Sequence, residues 1–195
     1  LFQDSLSHDN GVRKSAEAQI QGTFMAMQPV TGFGKVLLLL IRQLSISSAA
    51  PEDVAIRQSA SVFFKNFVKK RWELPKRAAP DGSEQLYYPS QSELEEDEIL
   101  PIGAEDRDTI KSWLVELLCT TPVDVQKQLA ESMTIVAAQD FPHQWPGLLP
   151  QLVEKLNTSD FFVIKGVMLT ANSIMKRFRH VYKSDELYSV LIVCL

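Results

Sequence analysis

DVAIRQSASVFFKNFVKKRW, residues 53–72, has a counterpart upstream in DNGVRKSAEAQ, residues 9–19. Each begins with Asp, carries Val or Ile three residues later, and continues with Arg, then Lys or Gln, then Ser-Ala, at an offset of about 44 residues. An Asp ahead of a helical pattern reads as an N-cap, because its carboxylate accepts from the unpaired amides of the first turn. Weaker echoes follow at VQKQLAES from Val125 and at VIKGVMLT, where Ile164 takes the Val position after Asp160. With a polar stretch of roughly 25 residues set aside as an insertion, the spacing stays near 44, 44 and 39. A period of about 40–47 residues in a helical chain is the signature of HEAT or armadillo arrays.

The apolar positions recur at three and four rather than at two, so helices are expected throughout and no strand pattern is read. The helices read as a short first segment at 1–7, then 9–27, 30–46, 53–73, 104–119, 123–140, 147–157, 161–182 and a start from 185. The expected fold is all-α: a HEAT-repeat α-solenoid of about four helical hairpins plus the start of a fifth. Its repeats would cover about 1–27, 30–73, 104–140 and 147–182, with a fifth beginning over 185–195 and a loop insertion at 75–101. That insertion holds four prolines and the acids Glu93, Glu95, Glu96, Asp97 and Glu98, composition that opposes regular packing.

Within 53–73, Ile56, Ala60, Phe63 and Phe67 form one apolar stripe, while Arg57, Ser61, Lys65 and Lys69 recur at i+4 on a basic side. In 161–182 the stripe is Ile164, Val167, Ala171, Ile174, Phe178 and Val181. The helix at 30–46 is apolar almost all round, as expected of a helix between layers. QDFPHQWPGLLP, residues 139–150, interrupts the helical text with three prolines; Phe141 and Trp145 are expected to pack at a corner between helices.

A chain of 195 residues with 45% hydrophobic composition can bury a sizeable core. A net charge of -4 opposes direct nucleic-acid binding, which needs a concentrated excess of Lys and Arg. The longest apolar run, Val36–Ile41, is too short to span a bilayer, so membrane insertion is not expected. The chain starts at Leu1 and ends in LIVCL, which reads as a piece of something longer. Cys119 and Cys194 sit in apolar helical patterns, as buried thiols do, and a disulfide is not expected.

Chemistry is hard to find. His8, His143 and His180 have no second His or Cys at ligand spacing, so no metal is expected, and the GFGK at 32–35 is too short for a phosphate-cradling loop. No nucleophile motif occurs, so the chain reads as no enzyme and no cofactor is expected. A stack of helix pairs presents an extended surface to other proteins, which makes partner binding the expected role.

VRKSAEAQI at 12–20, ASVFFKNFVKKRW at 60–72 and DFPHQWPGLLPQLVEKL at 140–156 resemble the N-terminal HEAT repeats of the importin-beta (karyopherin-beta) superfamily. Within it the string from Val125 to Ser189, with KRFRH followed by KSDEL, is most similar to the CAS exportins, the branch that carries importin-alpha out of the nucleus. The resemblance covers most of the chain apart from 75–101, which is longer than the family leads one to expect. It implies a receptor that shuttles between nucleus and cytoplasm and binds the Ran GTPase in its GTP form, with importin-alpha as cargo of the full-length protein. By position it also implies that inner helices carry the Ran contacts: Arg13 and Glu17 on the first, Lys65, Asn66 and Lys69 on the second, Gln128 and Glu131 on the third, Lys165 on the fourth. Lys65 and Lys69 would pair with acidic side chains; Asn66 and Gln128 would bond to backbone. The competing readings are a HEAT scaffold without a nucleotide-dependent partner, and another importin-beta-type receptor with a different cargo.

Overall fold

The structure, a computed structural model, describes residues 3–26, 31–47, 50–94 and 99–178. Among these, a 3-10 turn at Asp4–Leu6 precedes α1 (Asn10–Ala26), α2 (Phe33–Ser47) and α3 (Pro51–Arg71). A two-stranded hairpin, β1 (Lys76–Ala78) and β2 (Glu84–Leu86), and a second 3-10 turn at Gln91–Glu93 follow, then α4 (Ala104–Thr120), α5 (Val123–Asp140), α6 (Leu148–Lys155) and α7 (Phe161–Phe178). The expected fifth repeat from 185, His180, Val181, Cys194 and the acids at 95–98 lie outside the described residues. Two compact units divide the chain, the first ending at Ile110 and the second beginning at Lys111, within α4.

In the first unit α3 is the central element, packed against both α2 and the N-terminal turn. Phe33 and Phe67 meet edge to face at 5.5 Å, and Gly34 lets the start of α2 close on Phe67 and Ile110. On the other side the buried hydroxyls of Ser5 and Ser59 lie 3.1 Å apart. This double burial corrects three expectations. Arg57 and Ser61, read as part of an exposed basic side, are buried. The stripe at the core is Ala60, Phe64, Phe67 and Val68, with Phe63 only half-buried. Conversely Val36 and Leu39 of α2 are exposed, because α2 packs mainly on one partner, α3.

Helix starts follow two chemistries. Asp9 caps α1, its Oδ1 accepting from the amides of Gly11 at 2.7 Å and Val12 at 3.2 Å. Asp53 was expected to do the same for α3 but sits inside the first turn, because Pro51, whose fixed φ already suits a helix, starts it two residues earlier. The carboxylate still faces the positive helix end.

The expectation of no strand is overturned by the hairpin in the insertion. Its strands are three residues each, fully exposed, and offer no alternating apolar face to read. Gly82, at φ +81, supplies the left-handed residue of the turn. Lys76 pairs with Glu84 at 2.8 Å across the strands, and this contact holds the Glu84 carboxyl below the usual glutamate range and the Lys76 ammonium above its usual value.

In the second unit α7 packs on α5 and α6, around Leu114, Leu118, Leu129, Met133, Leu149, Val167 and Ile174. Gly166 brings α7 against the Leu118 carbonyl. α5 ends at the Pro-rich corner, where Phe141 and Trp145 are both buried. Pro150 takes the third position of α6, where an amide has no partner within the helix, so it causes no distortion. Lys111 reaches this corner from α4: its ammonium lies 2.8 Å from Asp140 Oδ2 and donates to the Gln144 carbonyl at 3.0 Å.

Two tests follow from this packing, both read by urea unfolding. A Cβ on Gly166 would lie 2.6 Å from the Leu118 carbonyl oxygen, so Gly166→Ala should destabilise by about 1–3 kcal/mol; a Cβ on Gly22 meets nothing within 4 Å, so Gly22→Ala should stabilise by up to ~1 kcal/mol. Lys111→Met should cost about 3–5 kcal/mol, since it strands a buried carboxylate, whereas the double change Lys111→Met with Asp140→Leu should cost clearly less.

Candidate protein-docking face

With α3 covered on two sides, its remaining surface runs along Gln58, Val62 and Asn66, at i+4 spacing, and on to Lys69. Between this strip and α1 lies an open groove of about 500 Å³, lined by Ser5, Glu17, Gln58, Ser59, Val62, Phe63 and Asn66. Its buried lining is polar, Ser5 and Ser59, while the aliphatic Val62 stands exposed between Gln58 and Asn66. Val62 keeps 39% of its surface exposed, which gives the strip an apolar contact between two side-chain amides.

Of the eight residues read from the sequence, the groove brings two together, Glu17 from α1 and Asn66 from α3. Arg13 sits half-buried in the first turn of α1, its Nη2 donating to Asn10 Oδ1 at 2.9 Å. Lys65 is half-buried and Lys69 exposed; neither lines the groove. Lys69, Lys70 and Arg71 fill the last turn of α3, where cations face the carbonyl end of the helix. In the second unit Gln128 is half-buried and Glu131 exposed on α5, and Lys165 is half-buried on α7, the helix packed against α5.

The sequence reading missed Gln58 and Val62 and assigned Phe63 to the core. The signal was present as the Gln58, Val62, Asn66 line, but it was masked by the assumption that the basic Arg57, Ser61, Lys65, Lys69 line faces outward. Arg71 shows why side chain type misleads here. Its guanidinium is buried, which lowers its pKa, and it donates to the Leu100 carbonyl at 2.9 Å rather than to a partner.

Among the described residues, no group of three or more His, Cys, Asp or Glu is arranged to hold a metal ion, and no helix is long and apolar enough to cross a membrane. The groove offers recognition chemistry: an apolar contact flanked by one carboxylate and two amides.

Residues 30–120 match the importin-beta N-terminal domain. Exportin-2 of Danio rerio is 34% identical over 194 residues, covering 100% of this chain and 17% of that protein. The likeness is to the importin-beta superfamily. Exportin-2 of Homo sapiens is likewise 34% identical over 191 residues, covering 98% of this chain and 16% of that protein. A solved structure of the exportin Cse1 in its cargo-free, cytoplasmic state matches with a TM-score of 0.70 and 27% identity, over 98% of this chain and 17% of that one. The chain thus spans about one-sixth of the length of these importin-beta relatives, and its fold class is all-α of the HEAT-repeat type.

If the strip serves a partner rather than the fold, removing it should leave stability alone. Gln58→Ala and Asn66→Ala should each change unfolding free energy by no more than about 0.5 kcal/mol, while Phe64→Ala, two residues away and fully buried, should cost about 3–5 kcal/mol; thermal and denaturant melts separate the two classes.

Proposed function

We propose that this chain is the N-terminal part of a nuclear export receptor that binds the Ran GTPase in its GTP form. Within the full-length protein it would carry importin-alpha from nucleus to cytoplasm, shuttling through the nuclear pore and acting by binding rather than catalysis. The observation that carries the reading is the likeness to Exportin-2 along the whole chain, at 34% identity. The repeats are proposed at about 1–27, 30–73, 104–140 and 147–182, with the insertion at 75–101 between the second and third.

In this reading α1, α3, α5 and α7 supply the inner helices. Glu17 and Asn66 act at the groove, with Arg13, Lys65 and Lys69 along the same two helices and Gln128, Glu131 and Lys165 on α5 and α7. Nucleotide state is sensed indirectly. The γ-phosphate orders the switch segments of a GTPase, and hydrolysis dismantles the surface those segments present. Lysines at the rim of such an interface mainly raise association rate, while the exposed apolar contact at Val62 governs residence time once a partner covers it.

The test is a pull-down and surface binding assay with Ran loaded with a GTP analogue or with GDP, using this chain alone and within the longer protein. Selective capture of the GTP form is expected. Lys65→Glu with Lys69→Glu should slow association at least about tenfold, with the fold kept and stability lowered by about 1 kcal/mol because a cation is lost from the carbonyl end of α3. Val62→Asp should mainly speed dissociation. Equal binding to both nucleotide forms would favour a HEAT scaffold instead, and unaltered binding by the lysine double variant would move the interface elsewhere.

A further inference from the structure

The insertion between α3 and α4 is not used by the groove, and its serines have distinct surroundings. Ser90 is occupied: its amide and its hydroxyl both donate to Glu93 Oε2 at 2.7 Å, closing the 3-10 turn as a capping box. Ser92 lies outside that box, exposed, with its Oγ 3.1 Å from Ser90 Oγ. The turn is one residue triplet held by exposed hydrogen bonds, and the backbone leaves it extended at Leu94. Such a segment can be drawn straight into an enzyme groove.

The sequence around Ser92 has a single electrostatic character. Glu93 follows directly and Glu95 stands three residues on, with Glu96, Asp97 and Glu98 beyond, while no Lys or Arg occurs from 78 to 91. Glu93 is held below the usual glutamate range by the Ser90 amide and hydroxyl, and further by Arg77, so it is charged at neutral pH. A kinase with a basic substrate groove recognises acids placed after the acceptor; one that reads arginine before the serine, or proline after it, finds neither.

We propose that Ser92 is a phosphorylation site for a protein kinase of acidic specificity. Ser92 Oγ attacks the γ-phosphorus of ATP; the new O–P bond replaces the bond to ADP, which departs, and the hydroxyl proton passes to the kinase's base. The product adds a charge of about −1.5 to −2 at pH 7 beside Glu93. Arg77 is the cation at hand, 2.9 Å from Glu93 Oε1 and stacked 4.2 Å over the Tyr87 ring. A phosphate offers it a stronger two-point partner than a carboxylate, which ties β1 to the turn more firmly. The proposal is independent of any Ran contact.

The experiment treats the folded chain with casein kinase 2 and ATP, then maps phosphate by fragment mass. One phosphoryl group on Ser92 is expected, lost in Ser92→Ala and kept in Ser90→Ala. Glu93→Gln with Glu95→Gln should slow labelling at least about tenfold, and trypsin should cut after Arg77 several-fold more slowly in the phosphorylated chain. Label on Ser90 or elsewhere, labelling indifferent to the Gln changes, or no label under conditions that modify a peptide of residues 86–98 would each overturn the proposal.

Discussion

A helix buried on two sides can give solvent only a narrow strip, and α3 is such a helix. Phe67 binds it to α2, Ser59 to the N-terminal turn, Arg71 to the end of the insertion at Leu100, and Trp72 to Arg107 of α4. What remains is Gln58, Val62 and Asn66, followed by the lysines of the last turn. The groove toward α1 exists because this strip is apolar in the middle and polar at its ends. The exposed strip is therefore what packing leaves over: its positions are those that neither neighbour of α3 covers.

The interior holds cations, and their placement shows how a helical array can contain charge. Arg107 donates to the Trp72 carbonyl and lies 4.3 Å over the indole ring, so its flat face is set against an aromatic one. Asp106, next to it, accepts from the Gly32 amide at 2.5 Å and pairs with Lys35 at 2.6 Å, which fixes the start of α2. In the second unit Lys111 does comparable work at the corner through Asp140 and the Gln144 carbonyl. Each charge is tied to a helix end or turn, where backbone groups lack helical partners. Desolvation of the ion is offset by satisfying groups that would otherwise also be buried unpaired.

This explains what could be read from sequence. Helix positions were legible because the 3.6-residue period survives in every segment, and the corner at 139–150 was legible because Phe141 and Trp145 are apolar beside prolines. Arg57, Ser61 and Arg71 were not, since residue type alone assigns them to the surface and only the second neighbour of α3 buries them. The hairpin was illegible for another reason: its two three-residue strands are stabilised by a turn glycine and a charge pair, which leave no hydrophobic period. Among the residues that line the groove, Glu17 and Asn66 had been named from the sequence and Val62 had not, because an exposed aliphatic residue looks like core until its neighbours are known.

The same end of α3 accounts for how the long insertion is accommodated. The Arg71 guanidinium donates to the Leu100 carbonyl at 2.9 Å, and the Arg71 carbonyl accepts from the Ile102 amide at 2.9 Å. Both ends of the excursion are thus held at one residue, so its length does not alter the step from α3 to α4. The entropic cost of closing a loop grows only with the logarithm of its length, so extra residues beyond this clasp are cheap. Hairpin, turn and acidic run can be accommodated there without disturbing Phe64, Phe67 or Trp72, the buried aromatic side chains of this end of the helix. The clasp separates two regimes: the end of α3 at Arg71 and Trp72 is buried, while the hairpin at 76–86 is exposed and held by its own turn and charge pair.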